Sequence, residues 1–186
     1  MGACLSIAIA GGLPEATVLF FPDAAMPCRS VLRGHICNRP NCNYAHSGSS
    51  LMVLLAELDA ATRSIDVCVF TITCNKIADA LVAAGKRGVR VRIITDGEQG
   101  ASNGSDVARL AASAGIKLRR DKDPSSHMHH KFAVVDNAIL INGSFNWTRG
   151  AVLSNHENVV ISRRVPFVIA SFNQRFEHMW GLFAGN

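Results

Sequence analysis

HHKFAVVDNAILINGSFN, residues 129–146, is the stretch whose reading decides the fold. Two apolar runs, residues 132–135 and 138–141, are separated by Asp136 and Asn137. That pair favours a tight Asx-type turn, so the runs read as neighbouring buried strands. Side chains alternate along a strand, which puts His129 and Lys131 on one side. Ser144 and Asn146 repeat the same spacing just beyond the second run. Four polar groups therefore converge at the ends of two buried strands, and a cluster of anionic oxygens is the simplest ligand that would use them.

Working outward, residues 64–72 are rich in β-formers, residues 76–86 form an amphipathic helical pattern ended near Gly88, and residues 89–95 read as a buried strand. A helix over 105–114 and a strand over 116–119 follow. Ahead of them, Leu51, Leu54, Leu55, Leu58 and Ala61 recur at helical spacing behind a linker, residues 47–50, that ends in a helix cap. Beyond the central stretch come a strand over 157–161 and a closing helix over 165–183, with Val168, Phe172, Phe176, Met179 and Phe183 as its core face. Strands alternating with helices imply an α/β domain over residues 49–186, a mixed β-sheet flanked by helices on both faces. Residues 1–21 form an N-terminal segment whose end, 17–21, reads as a first strand stopped by Pro22.

The chain has 186 residues, 48% apolar and 18% charged, which suits one packed domain with a small appendage and excludes wholesale disorder. A net charge of +5 and a pI near 9.1 favour a polyanionic partner, either nucleic acid or an anionic lipid surface. The apolar run from Ala3 to Leu13 is 11 residues long. A membrane-spanning helix needs about 20, so neither a full span nor a signal peptide is expected. Met1, Gly2 and Ser6 fit the myristoylation pattern, and Cys4 could carry a second acyl chain, so membrane attachment stays open.

Residues 22–48 differ in composition. Cys28, Cys37, Cys42 and His46 follow the spacing Cys-x8-Cys-x4-Cys-x3-His, with Arg29, Arg33 and Arg39 between them. Too few apolar residues lie here to fold the segment alone, and a tetrahedral Cys3His zinc site would supply the missing energy. The pattern resembles CCCH zinc fingers, which often bind single-stranded RNA. Four protein ligands close the coordination sphere, so the expected zinc is structural. Tyr44 and the arginines could stack on and pair with a strand. Cys68 and Cys74 read as reduced core and loop thiols.

The central stretch resembles the HKD signature of the phospholipase D superfamily, which includes nucleases: His129-x-Lys131-x4-Asp136, then Gly143-Ser144-x-Asn146. Together with the finger, the single HKD copy and the short length, it is similar to the Zucchini branch of that superfamily. The resemblance implies a phosphohistidine mechanism with no catalytic metal. His129 would attack phosphorus, while Lys131, Ser144 and Asn146 donate to the non-bridging oxygens. Glu157, the downstream acid, would hold the other nitrogen of His129, and Asp136 would organise the turn and the lysine side of the site. Arg119, Arg120 and Lys122 are candidates for a phosphate track, with Arg149 and Asn103 further candidates for the same groove. His130 alternates away from His129 and is expected to pack behind the strand.

Two histidines are needed, one as nucleophile and one as acid, and one motif is present. A homodimer with a composite active site is therefore expected. The resemblance implies an endoribonuclease cutting single-stranded RNA, and DNA in vitro, in PIWI-interacting RNA biogenesis on the cytosolic side of the mitochondrial outer membrane. The alternative is a cardiolipin hydrolase releasing phosphatidic acid.

Overall fold

The computed structural model describes residues 13–100 and 104–185. The apolar run from Ala3, all but its last residue Leu13, lies outside them with Gly2, Cys4 and Ser6, as does Asn103. No helix among the described residues is long and apolar enough to cross a membrane. In chain order the elements are β1 (Glu15–Phe21), α1 (Arg29–Leu32), α2 (Ser50–Asp59), β2 (Ser64–Val69), α3 (Asn75–Lys86), β3 (Arg90–Asp96) and α4 (Gly97–Gly100). They continue with α5 (Val107–Ala111), β4 (Ile116–Asp121), β5 (Lys131–Val135), β6 (Ile139–Gly143), α6 (Arg149–Leu153), β7 (Glu157–Arg163) and α7 (Pro166–Leu182).

Asp136 and Asn137 both take left-handed backbone angles, with φ of 53° and 56°, and the Ala138 N–H donates to the Val135 carbonyl oxygen, so residues 136–138 make the connection around a tight turn of the twist that hairpins favour. The turn pairs β5 with β6 in antiparallel register, Val135 opposite Ile139 and Phe132 opposite Asn142. The hairpin sits inside a seven-stranded sheet of order β1-β7-β6-β5-β2-β3-β4. β2, β3 and β4 run parallel and the remaining neighbours antiparallel, so the sheet is mixed as expected.

Alternation along β2 divides the core. Ile65, Val67 and Val69 face the layer that holds Leu51, Leu54, Leu55 and Leu58 of α2 and Ile77 and Leu81 of α3. Cys68 faces the other way, into a smaller cluster with Met128, Phe132, Val134, Ile169, Phe176, Met179 and Phe183. Ser49 caps α2 by accepting from the Met52 N–H.

Two elements depart from the sequence reading. α5 spans Val107–Ala111 rather than 105–114, because the chain turns off towards Gly115, whose φ of +79° leads into β4. In α7, Val168 is exposed and Ile169 is buried in its place. The core face follows positions 169, 172, 176, 179 and 183, an unbroken alternation of three and four. α7 also docks through charge. Buried Arg92 on β3 grips Asp66 of β2 in a two-pronged pair at 2.7 and 2.8 Å, and reaches Glu177 of α7 at 2.6 Å.

Candidate active site and finger

The site forms at one end of the sheet because the hairpin brings the start of β5 beside the end of β6, with the start of β7 next to it. Lys131 opens β5 opposite Val69, the last residue of β2. Its Nζ lies 3.1 Å from Nδ1 of His129 and 2.8 Å from the His129 carbonyl oxygen, which joins the two side chains as alternation implied. Phe70 backs both: its ring centroid is 4.7 Å from the imidazole and 5.3 Å from the ammonium. Partial burial, then the positive charges of Lys131 and His127, hold the His129 pKa below its ordinary value, which favours the neutral imidazole a nucleophile must be. Burial also lowers Lys131, with Glu157 opposing the shift.

Ser144 follows β6 and donates to Glu157 Oε2 at 2.5 Å, and the backbone N–H of Asn158 donates to the Ser144 hydroxyl at 3.1 Å. This close approach explains Gly143, where a Cβ would stand 2.1 Å from the Asn158 carbonyl oxygen. Asn155 donates to the other Glu157 oxygen at 3.2 Å. Within the chain, then, Glu157 is bonded to Ser144 and Asn155, and no described residue supplies His129 with a hydrogen-bonded carboxylate. Asn146 Oδ1 is buried and has no hydrogen-bond partner among the described residues, a costly state that an incoming donor would relieve.

Asp136 sits elsewhere. Its carboxylate accepts from the N–H groups of Thr62, Arg63 and Ser64 and from the Thr62 hydroxyl, at 2.7 to 2.9 Å, at the opposite end of β5 from Lys131. It organises the turn, as expected, and ties it to the entry of β2. It does not border the lysine.

The four basic candidates do not form one track. Lys122 shares a cleft of about 650 Å³ with His127, His129, His130 and Arg175, walled on the other side by Met179 and Phe183. Arg120 lines a separate hollow beside Asp96. Arg119 donates to the Trp180 carbonyl oxygen and lies 4.2 Å over the Trp180 ring, so α7 holds it away from the cleft. Arg149 lies beside the finger. His130 packs against Phe132 and accepts from Arg175 Nε at 3.4 Å, but it also lines the His129 cleft, so it is not hidden behind the strand as expected.

One pair was missed. His127 Nδ1 lies 3.1 Å from the buried carboxylate of Asp96, and the His127 ring meets Phe70 edge-on at 5.6 Å. It lies two residues before His129, the same alternation that joined His129 to Lys131, and Asp96 ends a parallel strand where ligands commonly bind in open α/β sheets. Those two signals were legible. The pairing, 31 residues apart, was not.

In the finger, the ligand atoms of Cys28, Cys37, Cys42 and His46 all lie within 4.8 Å of one another. Cys28 and Cys42 sulfurs are 4.0 Å apart, against about 3.8 Å expected for two thiolates on a tetrahedral zinc. Burial alone would raise the Cys28 thiol, but the Val31 N–H and Arg39 outweigh it and pull it down to about 5, and the Arg39 backbone and side chain lower Cys37. At Cys42 the Tyr44 N–H is outweighed by burial and the neighbouring Cys37 and Cys28 sulfurs, which raise it, so two thiolates and a thiol stand ready, a set that a structural zinc would complete.

Residues 54–180 match the family model described as cardiolipin synthase, PLD-like domain. The chain is 48% identical over 176 residues to the mitochondrial cardiolipin hydrolase of Chlamydomonas reinhardtii, covering 95% of this chain and 77% of that protein. It is 39% identical to the human protein of the same name, covering 91% and 69%. Among solved structures it resembles Nuc of Salmonella typhimurium, a phospholipase D family member, with a TM-score of 0.71, 29% identity and coverage of 91% and 95%. NucT of Helicobacter pylori, at 20% identity and a TM-score of 0.70, shares the fold.

Proposed function

The chain belongs to the mitochondrial cardiolipin hydrolase family of the phospholipase D superfamily, and from that premise we propose that this phosphodiesterase is a single-strand-specific endoribonuclease. The observation that carries the RNA reading is the Cys28, Cys37, Cys42, His46 cluster, a zinc-finger ligand set interleaved with arginines and attached to a phosphodiesterase domain. Its cellular place would be the maturation of PIWI-interacting RNAs at the mitochondrial outer membrane. A cardiolipin hydrolase is the second reading, favoured by the relatives' names and by the apolar wall of the cleft, Met128, Met179, Leu182 and Phe183.

The chemistry is common to both. Neutral His129 attacks phosphorus and the bond to the leaving oxygen breaks, that oxygen taking a proton from a second imidazole. Lys131, Ser144 and Asn146 hold the non-bridging oxygens as charge moves onto them. Water, deprotonated by the second imidazole, then displaces His129 from phosphorus. The second imidazole is His129 of a second copy placed across a two-fold axis, which completes a site that one protomer leaves half built. Cys28, Cys37, Cys42 and His46 would hold a zinc, which would supply folding energy there.

Purified protein should cut single-stranded RNA, and single-stranded DNA, to products with a 5′-phosphate and a 3′-hydroxyl. Cyclic-phosphate ends would rule out attack by histidine. Turnover of cardiolipin vesicles with RNA untouched would put the second reading first. His129→Asn should abolish either activity and leave the fold intact.

A further inference from the structure

Between the finger and the catalytic domain lies a second hollow, about 350 Å³, whose lining includes Arg29 and Arg39 with Tyr44 from the finger side and Lys76 and Arg149 from the domain side. None of its lining residues is a carboxylate. Among the described residues, Arg29, Lys76 and Arg149 form no ion pair and no side-chain hydrogen bond. Elsewhere the protein does pair its arginines: Arg92, Arg109, Arg163 and Arg164 each meet an acid. Arg39 has the Cys28 sulfur as its partner, but Arg29, Lys76 and Arg149 are like charges gathered without a counter-ion; they repel one another, so the cost of assembling them is recovered when an anion enters.

The lining is also pre-arranged. Arg39 donates to the Cys28 sulfur at 3.3 Å and lies 5.6 Å over the Tyr44 ring, so the metal ligand set itself aims one cation and one aromatic face at the hollow. Lys76 comes from the first turn of α3 and Arg149 from the first residue of α6, two elements locked together because the N–H groups of Thr73 and Cys74 both donate to the Trp147 carbonyl oxygen at 3.0 Å. Trp147 directly follows Asn146, and Phe70, three residues before Thr73, packs on His129. The hollow therefore opens on the same end of the sheet as the catalytic groups, and it is separate from the cleft that holds His129.

We propose that this hollow is a second phosphate-binding site, which grips the backbone of a single-stranded nucleic acid at a phosphate other than the one being cut. Cations neutralise phosphate, and Tyr44 offers a face on which any base can stack, so the site would hold a strand without reading its sequence. The identity of the strand rests on the nuclease reading above. A substrate would then run from the His129 cleft towards the finger rather than along Arg119.

The test uses the full zinc-loaded chain carrying His129→Asn, so that bound RNA stays uncut, and measures anisotropy of a labelled single-stranded RNA across a range of salt concentrations. Each phosphate cation removed should lower the slope of log K against log salt by about 0.7, so Lys76→Gln with Arg149→Gln should lower it by about 1.4. That corresponds to about 25-fold weaker binding at 0.1 M salt if the two proteins converge at 1 M. Arg149→Gln alone should give half the change in slope, and the charge-keeping pair Lys76→Arg with Arg149→Lys should keep the parent slope at unchanged zinc content. An unaltered slope in the double variant overturns the proposal. So does an unaltered RNA slope accompanied by lost sedimentation with cardiolipin-containing vesicles, which would assign the hollow to a membrane. If the slope falls as expected and the chain with His129 restored cuts no RNA, the nuclease reading fails and the nucleic-acid site stands.

Discussion

Asp136 separates a structural role from a catalytic one, and Asp136→Asn is the substitution that reads the difference. Asparagine tolerates the left-handed angle at this position, so the turn itself is kept. What changes is acceptance. Oδ1 takes the N–H groups of Arg63 and Ser64, and Oδ2 takes the N–H and hydroxyl of Thr62. An amide presents one acceptor oxygen, so two of these bonds are lost and a donor is turned towards donors. At about 1 kcal/mol net per bond, the two bonds come to about 2 kcal/mol. For a chain of this length that lowers Tm by about 4–8 °C. The bonds also hold the carboxylate below its ordinary pKa against the opposing effect of burial. A depressed folded-state pKa contributes stability that is present above the unfolded value and lost as pH falls through the folded one, so the gap between the two proteins should close in strong acid. Thermal melts and urea titrations measure the stability, and turnover at low temperature measures the chemistry. The expected result is lower stability with kcat unchanged per folded molecule. A kcat reduced a hundredfold or more at unchanged Tm would refute the reasoning and return Asp136 to the reaction.

Four further outcomes are expected. The acid limb of kcat/KM should lie below pH 6.5, because burial, Lys131 and His127 all disfavour the charged form of His129. His130 is lowered too, chiefly by burial, so the unfolded chain binds more protons than the folded one just below pH 6.5 and stability should fall with pH there, as denaturation midpoints would show. Arg92→Met should cost about 3 kcal/mol, because it strands the buried Asp66 carboxylate, and adding Asp66→Asn should restore part of that loss in a double-mutant cycle. Metal analysis should find one zinc per chain, and Cys42→Ser should release it and lower the melting temperature while His129 chemistry on short substrates persists.

What the sequence disclosed follows from which interactions are local. The hairpin was legible because Asp136 and Asn137 are a turn signal between apolar runs, and the His129–Lys131 pair because alternation acts over two residues. The finger was legible because metal ligands must recur at short spacing. The misplaced residues have different causes. Asp136 lies five residues beyond Lys131, about 16 Å along a strand, so a role beside the lysine was excluded by the rise per residue alone. Arg119 was lost to α7 because its partner, Trp180, is 61 residues away, and nothing near Arg119 announces that stacking. Val168 and Ile169 are both apolar neighbours, and only the docking of α7 chooses between them.

The half-built site carries one further consequence for the proposed dimer. Two copies of His129 related by a two-fold axis have identical surroundings, yet the reaction needs one neutral and one protonated at the same moment. Burial, then Lys131 and His127, push each towards neutrality. The first proton taken up by the pair therefore belongs to both rings, and its presence on one opposes a second on the other, as like charges sharing a site do. In that dimer the singly protonated pair would be the reactive form, and a bound phosphate, by choosing which ring faces phosphorus, would break the symmetry. The two limbs of a bell-shaped pH profile would then be properties of the pair and not of either histidine. In the proposed dimer, Glu157, fastened to Ser144 within its own chain, would be left to a neighbouring protomer's imidazole.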